Sequence, residues 1–110
     1  MDLLGRTEEI MLLTVWRLQS EAYGVSIRNE LNSRTDKDWS LGAIYAPLHR
    51  LEQKGLVSTR LGEPGSKRGG RRTVLYDLTN KGKQALLDLK TVQDSLWTGL
   101  VSLQPVSQQV

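Results

Sequence analysis

Eleven residues, Gly62 to Arg72, separate two β-prone segments and limit the fold more than any other part of the chain. The flanking segments, Leu56–Leu61 and Thr73–Leu78, are rich in Val, Thr, Leu and Tyr, which suits strands. The connection is too long for a tight two-residue turn. It contains Gly62, Gly65, Gly69 and Gly70, and it carries Lys67, Arg68, Arg71 and Arg72. A hairpin with a long basic tip is therefore predicted. Such a tip either stands solvated or reaches for a polyanion.

Three helices are predicted upstream. The first runs from about Thr7 to Gln19. Thr7 can cap it, and Glu8 and Glu9 suit the positive end of its dipole. Ile10, Leu13, Val15, Trp16 and Leu18 give it a broad apolar side. Tyr23-Gly24 then breaks the chain. A second helix, Val25 to about Ser33, places Ile27 and Leu31 on one face. The third begins at the N-cap Ser40 and turns Ile44, Leu48 and Leu51 inward. Gly55 suits the left-handed residue that ends it, with Leu51 and Leu56 as the hydrophobic pair of a Schellman stop. Pro47 lies inside this helix and predicts a kink near Ala43. Trp39, in the loop before it, is expected to anchor a short strand to the hairpin.

Thr79 caps a last helix predicted to run to about Leu103, before Pro105. Leu86, Leu89, Val92, Leu96, Leu100 and Leu103 follow near-heptad spacing, with Gly99 as a weak point. A chain of 110 residues that is 38% apolar can build only a modest core. No later element covers this stripe, so a second copy of the chain is expected on Leu86, Leu89, Val92, Leu96 and Leu100. The organisation expected is a helix-and-hairpin domain over residues 1–78, a dimerisation helix over 79–104 and a tail over 105–110.

Charge is concentrated in the middle. Residues 41–83 hold nine basic and three acidic side chains, whereas residues 1–40 hold five and seven. The absence of Cys removes disulfides and thiolate metal sites. A lone His makes no metal site by itself, and neither a metal nor a cofactor is expected. No nucleophile–base or carboxylate constellation can be assembled, so the chain is not expected to be an enzyme. No apolar run approaches the roughly 20 residues of a membrane span, and the start lacks the layout of a signal peptide. A soluble, cytoplasmic protein is expected, without membrane partners.

Three helices, a hairpin with a basic tip and a further helix form the winged helix-turn-helix order. The fold class is mainly α with a small β-hairpin and a C-terminal dimerisation helix. A helix fits the major groove, and a basic loop can reach phosphates or the minor groove. The string GAIYAPLHRLEQKGLVSTRLGEPGSKRGGRRTVLYDLTNKGKQAL closely resembles the PadR family of bacterial transcriptional regulators, and EEIMLLTVWRLQSEAYGVSIRNEL resembles its first two helices. Several features stand in register. They are Tyr-Gly before the second helix, Gly-x-Ile-Tyr opening the third, Arg-Leu-Glu-x-x-Gly-Leu leaving it, and Tyr-x-Leu-Thr-x-x-Gly entering the last. The single terminal helix is similar to the small PadR subfamily. The resemblance implies a homodimer that represses from a palindromic operator. Family members often carry the proline one residue before Pro47, and a second strand more basic and aromatic than Thr73-Val74-Leu75.

The expected DNA-facing residues of the third helix are Ser40, Gly42, Ala43, Tyr45, Ala46, His49 and Arg50. The small side chains allow close approach, with thymine-methyl contact and shape readout supplementing sparse hydrogen bonding. Tyr45 corresponds to the family's DNA-contacting tyrosine; the alternative is that its ring packs on the second helix. Arg50 and Lys54 can meet phosphates, although Glu30 or Glu52 could pair with Arg50. Lys67, Arg68, Arg71 and Arg72 supply the basic wing. Tyr23 and Ser26 stand where the second helix begins, a position suited to phosphate. Trp16 and Trp97 are candidates for a pocket that takes a small aromatic effector, as in some relatives, or else belong to the dimer core.

Two functions are weighed. One is a homodimeric, sequence-specific regulator of transcription on double-stranded DNA, a repressor and open to an effector. The other is a winged helix used for protein contacts without specific DNA readout, which leaves the four wing cations unexplained.

Overall fold

The computed structural model describes residues 3–64 and 72–103. Helix α1 spans Arg6–Leu18 and is followed by a single 3₁₀ turn, Gln19–Glu21. Helix α2 spans Gly24–Arg34 and α3 spans Leu41–Gln53. Strands β1 (Val57–Pro64) and β2 (Arg72–Leu78) pair antiparallel from Val57 opposite Leu78 to Leu61 opposite Val74. The register then shifts before Pro64 meets Arg72. Helix α4 spans Asn80–Trp97, and a short α5 spans Leu100–Leu103.

The core draws on every larger element. Met11, Leu12 and Val15 of α1 meet Ile27 and Leu31 of α2 and Ile44, Leu48 and Leu51 of α3. Leu56, Val57 and Tyr76 close it at the hairpin base, and Leu86 adds α4. The inward stripe of α3 is the one its spacing predicts.

The end of α3 is a Schellman motif as expected. Gly55 takes φ +78°. The Leu56 N–H donates to the Leu51 carbonyl at 2.9 Å, and the Gly55 N–H to the Glu52 carbonyl at 2.9 Å. Leu51 and Leu56 are both buried in the core, supplying the apolar pair.

Several local expectations need correction. Thr7 does not cap α1. Gly5 is the N-cap, and the Glu8 carboxylate accepts the Gly5 N–H at 3.2 Å, which favours a start one turn before Glu9. Helix α3, by contrast, runs from Leu41 to Gln53 as one element with Pro47 buried inside it, as its sequence leads one to expect. Trp39 joins no strand among the described residues. Its backbone N–H donates to Asn32 Oδ1 at 2.8 Å and its indole N–H to Thr35 Oγ1 at 3.2 Å. Those bonds tie it to the end of α2. The last helix stops at Trp97, six residues early, because Gly99 takes φ +83°.

An ion pair staples the start of α1 to the end of α3: Lys54 Nζ donates to Glu8 Oε2. The Lys54 hydrogen bond, with burial opposing it, holds the Glu8 carboxyl below its ordinary value of 4.5. A carboxylate lowered on folding adds stability that is complete above its unfolded pKa and is lost as pH falls through the folded one. Glu8→Gln is therefore expected to lower stability at pH 7 by up to about 1 kcal/mol. The gap from the parent chain should narrow once pH drops below 4.5. Urea midpoints of both chains at several pH values check this, and a gap that widens in acid would contradict it.

Candidate nucleic-acid interface

Burying Ile44, Leu48 and Leu51 turns the opposite face of α3 outward. Gly42, Ala43, Ala46, His49 and Arg50 are exposed on it. Ser40 caps the helix, its Oγ accepting the Ala43 N–H at 3.1 Å. The face is low at its N-terminal end and basic at its C-terminal end. That shape lets backbone approach a groove closely while cations meet its edge.

Tyr45 stands at the side of this face and is 45% exposed. Its ring lies across Gly24, the first residue of α2. The packing alternative is therefore realised, and the side chain still keeps a solvent-facing part. Beside it opens a cleft of about 310 Å³ lined by Tyr23, Gly24, Tyr45, Arg72, Thr73 and Tyr76, among others. Burial, with Tyr45 and Glu52 nearby, raises the Tyr76 phenol above its ordinary pKa. Arg72 opens β2 at an exposed position and borders this cleft. Helix α3 and the hairpin thus share one junction.

The remaining expected residues divide. Ser26 serves the turn before α2: its hydroxyl accepts the Tyr23 N–H at 2.9 Å and donates to the Glu21 carbonyl at 2.6 Å. Its single proton is already engaged. Lys54 is held by Glu8 at the far end of α3. Of the two alternative partners of Arg50, Glu30 instead pairs with Arg17 at 3.3 Å and with Arg34, and Glu52 accepts the Thr59 hydroxyl at 3.0 Å. Among the described residues no ion pair includes Arg50. Lys67, Arg68 and Arg71 lie outside the described residues. Gly24 is the residue that sequence reasoning missed. It reads as a simple break, and only the ring across it reveals its use.

The apolar stripe of α4 is split between two environments. Leu86 and Leu89 are buried within the chain itself, and Val92 is half-buried. Leu96, Trp97 and Leu100 are exposed, as are Leu87 on α4 and Leu13 on α1. Trp16 packs against the core with Lys83 Nζ 5.9 Å from its ring centroid. The cavity of about 340 Å³ that touches Trp16 and α4 does not include Trp97, which is 64% exposed. One chain therefore does not bring the two tryptophans together. No group of His, Asp or Glu among the described residues could hold a metal. No described helix is long and apolar enough to cross a membrane.

A three-helix core with an outward third helix, followed by a hairpin that flanks that helix, defines a winged helix-turn-helix protein. The family model of the PadR-like transcriptional regulators matches residues 12–88. The chain belongs to that family, whose members regulate transcription and are not enzymes. Among solved structures it is similar to a PadR family transcription regulator of Clostridium difficile R20291, with 25% identity and a TM-score of 0.66, covering 90% of this chain and 94% of that one. A PadR-like transcriptional regulator of Bacillus cereus is 25% identical with a TM-score of 0.70, covering 87% and 88%. RosR of H. salinarum is 26% identical, also at 0.70, covering 87% and 79%. No curated protein matches the chain.

Proposed function

We propose that the chain is a homodimeric repressor that occupies a palindromic operator in the cytoplasm. Helix α3 lies in the major groove and the basic hairpin tip lies on phosphates. The observation that carries this reading is the outward face of α3: small residues at its start, His49 and Arg50 further on, and Arg72 of the hairpin beside Tyr45. A surface built for protein contacts alone has no use for Arg72 set at the edge of a low helix face. Leu13, Leu87, Leu96, Trp97 and Leu100 support dimerisation, since a small chain seldom leaves so many large apolar side chains uncovered. Two copies would present two recognition helices to two half-sites. In this reading Trp16 and Trp97 meet only across the dimer, and an aromatic effector acts there by binding one spacing of the recognition helices better than another.

Genomic-fragment selection with the purified protein at about 50 and 200 mM salt tests the proposal. Retention of one short palindrome at the higher concentration is the expected result. Loss of every fragment as salt rises would reduce the basic tip to non-specific attraction and would favour the protein-contact reading.

A further inference from the structure

We infer that Gly24 is a positioning residue for DNA contact, its missing side chain being the seat that holds Tyr45 beside Arg72. The inference rests on the DNA-binding reading above. Glycine is a poor helix former, and at the start of α2 the backbone gives no conformational reason for it. Among the described residues the glycines with positive φ are Gly55 and Gly99, and Gly24 is not one of them. Its reason is space. A Cβ on Gly24 would stand 2.1 Å from Tyr45 Oη, 2.5 Å from Cζ and 2.9 Å from Cε1. Three side-chain atoms lie within that distance, so a small adjustment of the hydroxyl does not relieve the overlap. The whole ring must leave.

Where the ring sits matters because the seat joins three elements. Gly24 begins α2, Tyr45 belongs to α3, and Arg72 and Thr73 begin β2, all around one cleft. The Tyr76 N–H donates to the Ala22 carbonyl at 2.8 Å, which fixes β2 against the segment that leads into Gly24. Tyr45 therefore lies at a set position relative to both the recognition helix and the wing. Displaced from Gly24, the ring no longer holds this position, and one phosphate contact loses its place. The core is not involved, and alanine is the better helix former.

Anisotropy with a mixed-sequence duplex of about 30 base pairs at about 50 mM salt supplies the test, since phosphate contacts do not depend on sequence. Gly24→Ala and Tyr45→Ala are each expected to weaken binding about ten-fold, the scale of one hydrogen bond to a charged group. The double variant should bind no more weakly than Tyr45→Ala alone, because nothing is left to displace. The Tm of Gly24→Ala should equal or exceed that of the parent chain. If Tm falls instead, the double variant, which removes the overlap, must restore it. Binding by Gly24→Ala at the parental affinity overturns the inference, and so does a double variant weakened by the full product of the two single effects. Parental chain that fails to bind the duplex at all overturns the DNA-binding reading itself. Parental binding with an unaffected Gly24→Ala leaves that reading standing and removes only the role of Gly24.

Discussion

With Lys67, Arg68, Arg71 and Arg72 all replaced by alanine, DNA affinity is expected to fall by about 10²- to 10⁴-fold, more at low salt than at high. Each cation that neutralises a phosphate releases condensed counterions. The slope of log affinity against log salt should therefore become shallower by about 3.5 for the four together. The loss should be similar on operator and unrelated duplex, because phosphate contacts position a protein without reading its sequence. Folding should be nearly untouched, as surface changes away from packed features rarely exceed about 0.5 kcal/mol. Titrations at several salt concentrations measure the slope, and an unchanged slope would mean that the wing lies away from the duplex. Arg72 alone should account for about one unit, and its place at the cleft beside Tyr45 makes it the first single substitution to compare.

Gly82→Ala is expected to lower stability by about 2 kcal/mol net, a larger loss than that of Glu8→Gln. Gly82 is buried in the first turn of α4, where its N–H donates to the capping Thr79 Oγ1 at 3.0 Å. An added Cβ would stand 2.2 Å from the Leu56 carbonyl oxygen and 2.7 Å from Leu78 Cδ1. Unlike the tyrosine ring over Gly24, a backbone carbonyl cannot swing aside. The Leu56 carbonyl also accepts the Thr79 N–H at 3.1 Å, so retreat breaks that bond too. Overpacking of this kind costs up to about 3 kcal/mol, and the better helix propensity of alanine returns about 1. For a chain of this size the net loss lowers Tm by about 10 °C or more. A thermal melt at or above the parental Tm would show that α4 can slide off the hairpin base without penalty.

These two glycines mark the boundary of what the sequence discloses. The stop of α3 is legible because its signals are local: Gly55, with Leu51 and Leu56 at fixed offsets, can do little else. The inward stripe of α3 and the cap at Thr79 are legible for the same reason. Gly24 and Gly82 are needed by residues 21 and 26 positions away in the chain, and no local pattern announces such an overlap. The stripe of α4 shows a related gap. Helical spacing places Leu86, Leu89, Val92 and Leu96 on one side, yet it does not say that the first two face their own core while Leu96 faces outward. Charge has the same weakness. Lys54 and Arg50 look equivalent as cations at the end of one helix, but among the described residues only Lys54 forms an ion pair with Glu8. Trp39 is misplaced because aromatic bulk gives no direction. Asn32 and Thr35, behind it in the chain, decide where it turns.

The base of the hairpin is fastened on several sides. Tyr76 is bonded to Ala22, Thr79 to Leu56 and Gly55, and Arg60 to Asp77 at 2.8 Å and to Ser20 at 3.3 Å. A ribbon clamped at its root can change length at its far end without disturbing the helix beside it. Each facing pair of residues added beyond Leu61 and Val74 lengthens the ribbon by about 3.4 Å, close to the rise of one base pair. Under the function proposed above, footprint and base preference are thereby separate variables: the ribbon would set how much duplex is covered, and α3 which bases are met. A related chain with a longer ribbon and the same α3 would protect a longer stretch of DNA around an unchanged half-site.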